Sequence, residues 1–257
     1  MPIKVAILLL LFSFLSQEAR PQENMGKEVQ QESGEFNLSM TLGIGLFGPK
    51  EDIEDQMKAS GFGDTRGPGW FSDEATQYPK AYNILIANIG ATYYFKRTRG
   101  VSLVVGLTDN VQVDGYDEIG IGNRLHLKSE IWVASLNYVF RSSDKKHQLN
   151  IGPALFLHRV RDNAERPTSQ KNNNVKPGLY AGYTLHVIHK EDWYLALNLN
   201  GRWATESAIG PFIIVHETGI LLPEPEVQRS EFQPTKVQLT GLSLGLALGF
   251  RMGNGRS

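Results

Sequence analysis

The side chains that could carry chemistry are few and scattered. His126, Ser129 and Glu130 lie close together, and serine, histidine and a carboxylate are the set that activates a hydroxyl nucleophile. Such a triad needs its three heads to converge. In an extended strand successive side chains alternate, so His126 and Glu130 share one face and Ser129 takes the other. The segment alone does not assemble a nucleophile, and no catalytic residue is assigned. GIGLFG, Gly43 to Gly48, reads G-x-G-x-x-G, with Asp64 downstream where a ribose ligand would stand. A dinucleotide site needs a buried parallel strand before the glycines and a helix opening at them. Here the preceding strand alternates and Pro49 follows at once, so no cofactor is assigned. Asp114 to Glu118 lacks the dense Asp/Asn alternation of a calcium loop. His216-Glu217 lacks the second histidine of a zinc helix. With no cysteine, thiolate metal sites, disulfides and a cysteine nucleophile are all excluded, and no metal site is assigned. A formal net charge of −1 argues against a nucleic-acid partner.

The elements that must position these residues are strands. VQLTGLSLGLALGFRM, Val237 to Met252, alternates without a break from Leu242. Leu244, Leu246, Leu248 and Phe250 share one face, and Gly245, Ala247 and Gly249 share the other. Seven earlier segments repeat the pattern. Glu35 opens the first, with Leu38, Met40, Leu42, Ile44 and Leu46 on one face. The second runs from Ala81 to Phe95, and the third carries Val101, Leu103, Val105 and Leu107. The fourth ends at Phe140, and its Lys128 and Glu130 have the apolar parity of Trp132, so they should stand above any hydrocarbon. The fifth starts at Gln148 and contains Pro153, which predicts a bulge or an open pair. The sixth spans Lys176 to Ile188, and the seventh starts at Trp193. Arg202, His186 and Asn198 take the inward parity, and Arg251 lies at the mouth; all four read as lumen hydrogen-bond partners.

Connections alternate long and short. Phe47–Lys80, Asp109–Arg124, Arg159–Val175 and Ala204–Pro234 read as loops; Lys96–Arg99, Ser142–His147 and His189–Asp192 read as tight turns. In the first loop, Glu51 to Ala59 predicts one or two helical turns with Ile53 and Met57 on one side. GFGDTRGPGWF, Gly61 to Phe71, reads as a compact surface turn region. The run Phe212 to Val215 predicts a strand extended beyond the membrane.

The start of the chain is an export signal. Lys4 precedes an apolar run, Val5 to Leu15, that is shorter than the roughly 20 residues a helical span needs. The domain reading is a signal peptide over 1–19, with cut sites after Ser16 or Ala19. A polar lead-in over 20–34, a barrel over 35–252 and a tail over 253–257 follow.

Alternation alone suits a soluble barrel too. Three features favour lipid outside. Long and short connections segregate to opposite rims. Tyr93, Phe95, Tyr138, Phe140, Trp193 and Phe250 cluster beside the short turns, as an interfacial girdle does. The small-residue face carries few charges, unlike a water-exposed surface.

On TYYF (Thr92–Phe95), NYVF (Asn137–Phe140) and LSLGLALGF (Leu242–Phe250), the chain resembles the small outer-membrane β-barrels of Gram-negative bacteria, of the OmpX and OmpA barrel-domain type. The resemblance covers Glu35 to Met252. It implies a closed antiparallel up-and-down transmembrane barrel of about eight strands, located in the outer membrane, with short periplasmic turns and long extracellular loops. The implied partners are outer-membrane lipid, the barrel-assembly machinery through the C-terminal strand, and an extracellular ligand at loops 47–80 and 204–234. Arg251 to Ser257 follow the last aromatic, where such chains often end on it. The expected role is non-enzymatic, structural or surface-interactive. Some such barrels deacylate lipid A with Ser, His and Glu, so a lipid hydrolase is the alternative. A narrow pore and a soluble lipocalin-like carrier are the others.

Overall fold

A computed structural model describes residues 34–48, 50–63, 80–83, 85–117, 124–162, 171–218 and 226–252. Strands dominate: β1 (Glu35–Phe47), β2 (Phe62–Gly63), β3 (Lys80–Asn83), β4 (Ile86–Lys96), β5 (Arg99–Asp117), β6 (Arg124–Arg141), β7 (His147–Asp162), β8 (Lys171–His189) and β9 (Trp193–Ala204). They are followed by β10 (Ser207–Ile209), β11 (Phe212–Thr218), β12 (Glu226–Phe232), β13 (Thr235–Val237) and β14 (Gly241–Met252), and one helix, α1 (Lys50–Ala59), follows β1. Eight of the strands form a ring in the order β1, β4, β5, β6, β7, β8, β9, β14, every neighbour antiparallel. The ring closes at β1 and β14, where Phe36 faces Met252 and Ile44 faces Leu244. The first strand therefore meets the last, as the closed barrel implied by the resemblance requires. Among the described residues no helix is long and apolar enough to cross a membrane.

The outer face is apolar. Met40, Leu42 and Ile44 of β1, Leu103 and Val105 of β5, and Leu244, Leu246 and Leu248 of β14 are all at least 40% exposed. In a water-soluble protein a continuous belt of this kind would be an aggregation surface; facing lipid it costs nothing. The predicted girdle stands at its lower margin. Phe95 packs edge-on against Tyr138 at 6.2 Å, and Tyr138 lies tilted against Phe140 at 4.7 Å. From Trp132 to Phe140, β6 offers about the 9–11 residues a tilted strand needs to cross hydrocarbon. The short turns fall where the sequence places them. In one of them Asp144 accepts hydrogen bonds from the Ser142 hydroxyl and, at 3.0 Å, from the Lys146 amide, and these hold its carboxyl below the usual range.

Four expectations need correction. Asp109–Asp117 is not loop but the upper part of β5, with Asp109–Tyr116 paired with Arg124–Ile131. Thr108 is an extra residue in β5, because Leu107 pairs with Trp132 and Asp109 with Ile131. This bulge reverses the parity, so Asp109, Val111 and Val113 point inward. Arg159–Asp162 and Lys171–Val175 are likewise not loop. They belong to β7 and β8 and pair with each other, Arg159 with Asn173 and Arg161 with Lys171. The second predicted strand is two pieces: β4 pairs with β1 and β5, whereas β3 pairs with β5. Phe212–Val215 does not prolong the wall; β11 and β12 form a separate hairpin. At Pro153 the expected open pair is found: the β6–β7 ladder passes from Ser135–Ala154 to Tyr138–Ile151, skipping the proline. The helix prediction holds, with Ile53 and Met57 both at 0% exposure.

The interior has two storeys. Within the belt it is polar, lined by Asn88, Thr92, Asn150, Thr184 and Asn200 around a cavity of ≈ 30 Å³. Above the belt it is apolar. Val111, Val113, Leu125, Leu127, Ile131 and Phe156 of the wall pack on Ile53 and Met57 of α1 and on inserted loop residues such as Ile209 and Phe212. The β1–β14 seam is tight where Gly43 faces Gly245, since a Cβ on Gly43 would meet the Leu244 carbonyl oxygen at 2.2 Å. Leu246→Arg should lose about 2–4 kcal/mol of folding free energy in vesicles, read by denaturant titration. Gly43→Val should abolish the heat-dependent gel shift of the closed barrel.

Candidate functional site

The polar groups collect at three levels. At the periplasmic mouth, Arg141 donates to both oxygens of Glu35, at 2.6 and 3.1 Å, and to the Arg97 carbonyl oxygen. Lys145 Nζ stands 3.4 Å and Arg251 Nε 3.7 Å from the same carboxylate. The Arg141 guanidinium also lies 3.6 Å from the Tyr94 ring centroid. A bidentate pair is planar and geometrically demanding. It ties the first residue of β1 to the β6–β7 turn. Arg251 donates to the Lys190 carbonyl oxygen at 3.0 Å, which tacks the end of β14 to the β8–β9 turn.

In the polar storey, Asn198 donates to Thr41 Oγ1 at 2.8 Å, across the lumen parity the sequence assigns. Both side-chain atoms of Asn88 and both ring nitrogens of His186 lack a protein partner. Such groups need water in a lumen this narrow.

At the boundary between storeys lies the most buried charge pair among the described residues. Arg202 donates to the Leu239 carbonyl oxygen at 2.9 Å and to the Thr108 carbonyl oxygen at 3.2 Å, and its third arm pairs with Asp109. Both side chains are 2–3% exposed. Gly45 and Gly48 make room for them: a Cβ on Gly48 would stand 2.1 Å from Asp109 Oδ2, and one on Gly45 2.7 Å from Oδ1. Two glycines of GIGLFG thus accommodate an ion pair.

The three residues weighed as a hydrolytic set do not converge. His126 points outward and bonds Asp114. Glu130, also outward, pairs with Lys128 at 2.8 Å and Arg161 at 3.3 Å. Ser129 points inward, with its Oγ 2.9 Å from His158 Nε2. The other nitrogen, His158 Nδ1, is 2.8 Å from Ser207 Oγ. Serine and histidine are at nucleophile–base distance, but a hydroxyl stands where a carboxylate would orient the imidazole. His158 is at 0% exposure. The chain of bonds fastens β10 inside the barrel. Sequence reasoning missed this contact because the β6–β7 register is not written in either strand. It also missed Asp109, assigned to a loop. A signal existed: an inward arginine among small residues demands a counter-ion.

Other motifs resolve plainly. His216-Glu217 lies in β11, facing Gln228 and Val227 in the hairpin register. Asp64, Gly67 to Phe71 and Glu118 lie outside the described residues, as do the signal segment and the tail. Among the described residues no group of three acidic, histidine or cysteine side chains is placed to hold a metal.

No protein-family model matches the chain, and no curated sequence does. Solved structures similar in fold include the outer membrane protein OprG from Pseudomonas aeruginosa, at 13% identity and a TM-score of 0.46, covering 86% of this chain and 96% of that one. Ail, the attachment invasion locus protein of Yersinia pestis, in complex with the heparin analogue sucrose octasulfate, has 10% identity and a TM-score of 0.45, covering 85% and 99%. AlkL in lipid bilayers has 14% identity and a TM-score of 0.39, covering 93% and 99%. These likenesses concern fold alone. The chain's own closed ring, apolar belt and unequal rims make it a small membrane-spanning β-barrel of the outer-membrane type.

Arg202→Met should destabilise the barrel by about 3–5 kcal/mol, because Asp109 is left buried without its cation. Adding Asp109→Leu should recover most of that loss. Equilibrium unfolding of both variants in vesicles measures the difference.

Proposed function

We propose that this barrel is non-enzymatic and acts as a rigid platform at the cell surface. Its extracellular partner would be met by the segments 47–80 and 204–234. The observation that carries the reading is the apolar filling of the upper storey. Ile53, Met57, Ile209, Phe212, Phe232, Val237 and Leu239, all from these segments or the lead into β14, are at 0–1% exposure against the wall. A wide pore requires a continuous polar path, and a packed hydrophobic core interrupts it. Side chains locked in such a core hold α1 and the β11–β12 hairpin against the wall, which lowers the ordering cost of binding.

Two hydrogen bonds support the rigid attachment of α1. Gln238 N donates to Asp52 Oδ2 at 3.1 Å, and Gln233 N to Ser60 Oγ at 3.1 Å. The second joins the two long loops to each other, and the first ties α1 to the lead into β14, on the rim opposite the tight turns. The closing strand β14, with its outward Leu244, Leu246, Leu248 and Phe250, fits recognition by the barrel-assembly machinery.

One observation favours a second reading. Ser129 and His158 are 2.9 Å apart, so a hydrolase acting on outer-leaflet lipid is the alternative. It predicts that Ser129→Ala changes the lipid composition of the membrane. Unchanged lipid in both that variant and a deletion strain removes it.

The platform reading makes two expectations. Protease added to intact cells should cut within 47–80 or 204–234 and spare 96–99, 142–147 and 189–192; the reverse pattern overturns the orientation. Deleting the β11–β12 hairpin should abolish whatever binding intact cells show to a panel of host-matrix proteins and polysaccharides, while the heat-dependent gel shift persists. Equal binding with and without the hairpin overturns the contact surface.

A further inference from the structure

Three strands carry an unusual outward row just above the belt. The registers align Trp132 with Leu157 and Leu157 with Val175, an apolar row across β6, β7 and β8. Two residues higher, the row reads Glu130, Arg159, Asn173. Two residues higher again it reads Lys128, Arg161, Lys171. All of these have the parity of the lipid-facing side chains, because the residues between them, Ser129, Ile131, His158 and Val160, are buried inside.

Three cations directly opposite one another across adjacent strands repel, and such placement weakens a sheet. Among the described residues Glu130 offsets it, pairing with Lys128 and Arg161. Arg159 and Lys171 make no ion pair among the described residues. Arg161 Nε, too, lacks a hydrogen-bond partner there. Among the described residues, then, this positive charge is only partly matched, and a phosphate from outside the chain would complete it.

Height decides what can match it. Four residues along a strand are about 13 Å, or about 10 Å of height at the usual barrel tilt. The headgroup layer begins where hydrocarbon ends and is several ångströms deep. The Arg159 row, half as high, stands within that layer, and from the row above it the long side chains of Lys128, Arg161 and Lys171 can reach down into it. Arg161 brings a planar fork suited to phosphate oxygens, and the lysines bring point charges.

We propose that Lys128, Arg159, Arg161 and Lys171 form a binding site for the phosphate groups of an outer-leaflet lipid headgroup. The site lies on the outer wall of β6–β8, away from the lumen. It rests on the membrane orientation of the barrel and is independent of any ligand at the extracellular loops. Glu130 acts as the hinge of the site, clamping Lys128 and Arg161 side by side.

The test uses the full chain folded into phosphatidylcholine nanodiscs doped with bis-phosphorylated lipid A, or with the same lipid stripped of phosphate. Lipid retained by the protein is quantified by mass spectrometry against empty discs. The phosphorylated form should be enriched over the stripped form. Arg161→Gln and Lys171→Gln should each cut that enrichment about fivefold, following the usual attraction of one cation near an anionic surface. Lys171→Arg should keep it. Lys146→Gln, in a periplasmic turn, should leave it unchanged. The heat-dependent gel shift reports folding separately, so a barrel that fails to close is not mistaken for a lost site. Equal retention of both lipids, or enrichment untouched in the Arg161→Gln and Lys171→Gln variants, overturns the site. An equal fall with Lys146→Gln would reduce it to unspecific charge attraction.

Discussion

A backbone amide in hydrocarbon has no water to bond, so every one that crosses the membrane must find a partner in the protein. That requirement makes the ladder between β1 and β14 the contact on which the rest depends. It runs from Phe36–Met252 to the top of β1, and it leaves no open edge among the membrane-crossing strands. The seam accepts only small inward residues where Gly43 meets Gly245, since the backbone there would collide with a Cβ. Once the ring is closed, parity follows. One face of each strand must be apolar for lipid, and the other is confined to a lumen that side chains nearly fill.

Closure also explains the division of the interior. Inside the belt, backbone bonding and the lipid contact supply the stability, and the lumen can stay polar and narrow. Above the belt, the wall no longer has lipid behind it. β5 to β8 continue upward, and their inward residues become a conventional hydrophobic core filled by α1 and the inserted loop strands. The bulge at Thr108 makes this possible for β5, by turning Val111 and Val113 inward. The Arg202–Asp109 pair stands at the junction. It joins β9 to β5 and to the carbonyl oxygen of Leu239 ahead of β14, so one buried ion pair links the membrane part to the head. Its desolvation is tolerable because each charge has its counterpart and further backbone partners. The Glu35–Arg141 fork does the corresponding work at the opposite mouth.

The belt was legible because it is a local pattern. Leu244, Leu246 and Leu248 point the same way in any straight strand, and the same holds for Met40 to Leu46. The turns were legible for the same reason, as was the apolar side of α1. The upper strands were not. Val111 and Val113 stand out of phase with Leu103 and Val105, so an alternation counted along the chain alone breaks at Asp109. A bulge is an inserted residue, and only the partner strand shows which residue is extra. Arg159–Asp162 and Lys171–Val175 read as polar loop because their outward residues face headgroups and water rather than hydrocarbon. The outward parity of Lys128 and Glu130 could be read from β6 alone. That Arg161 and Lys171 share their row could not, because register joins different strands.

The amino-acid sequence by itself determined the class of the fold, the lipid-facing residues and the rim carrying the short turns. Each of these follows from a periodicity of two residues or from a count of residues between strands. Only the tertiary structure decided the partners: Ser129 with His158, Arg202 with Asp109, Glu35 with Arg141, and the glycines of GIGLFG with an ion pair. The physical reason is that these contacts span large separations in the chain and are set by the stagger of neighbouring strands. A slip of one residue would turn every one of those side chains to the other face.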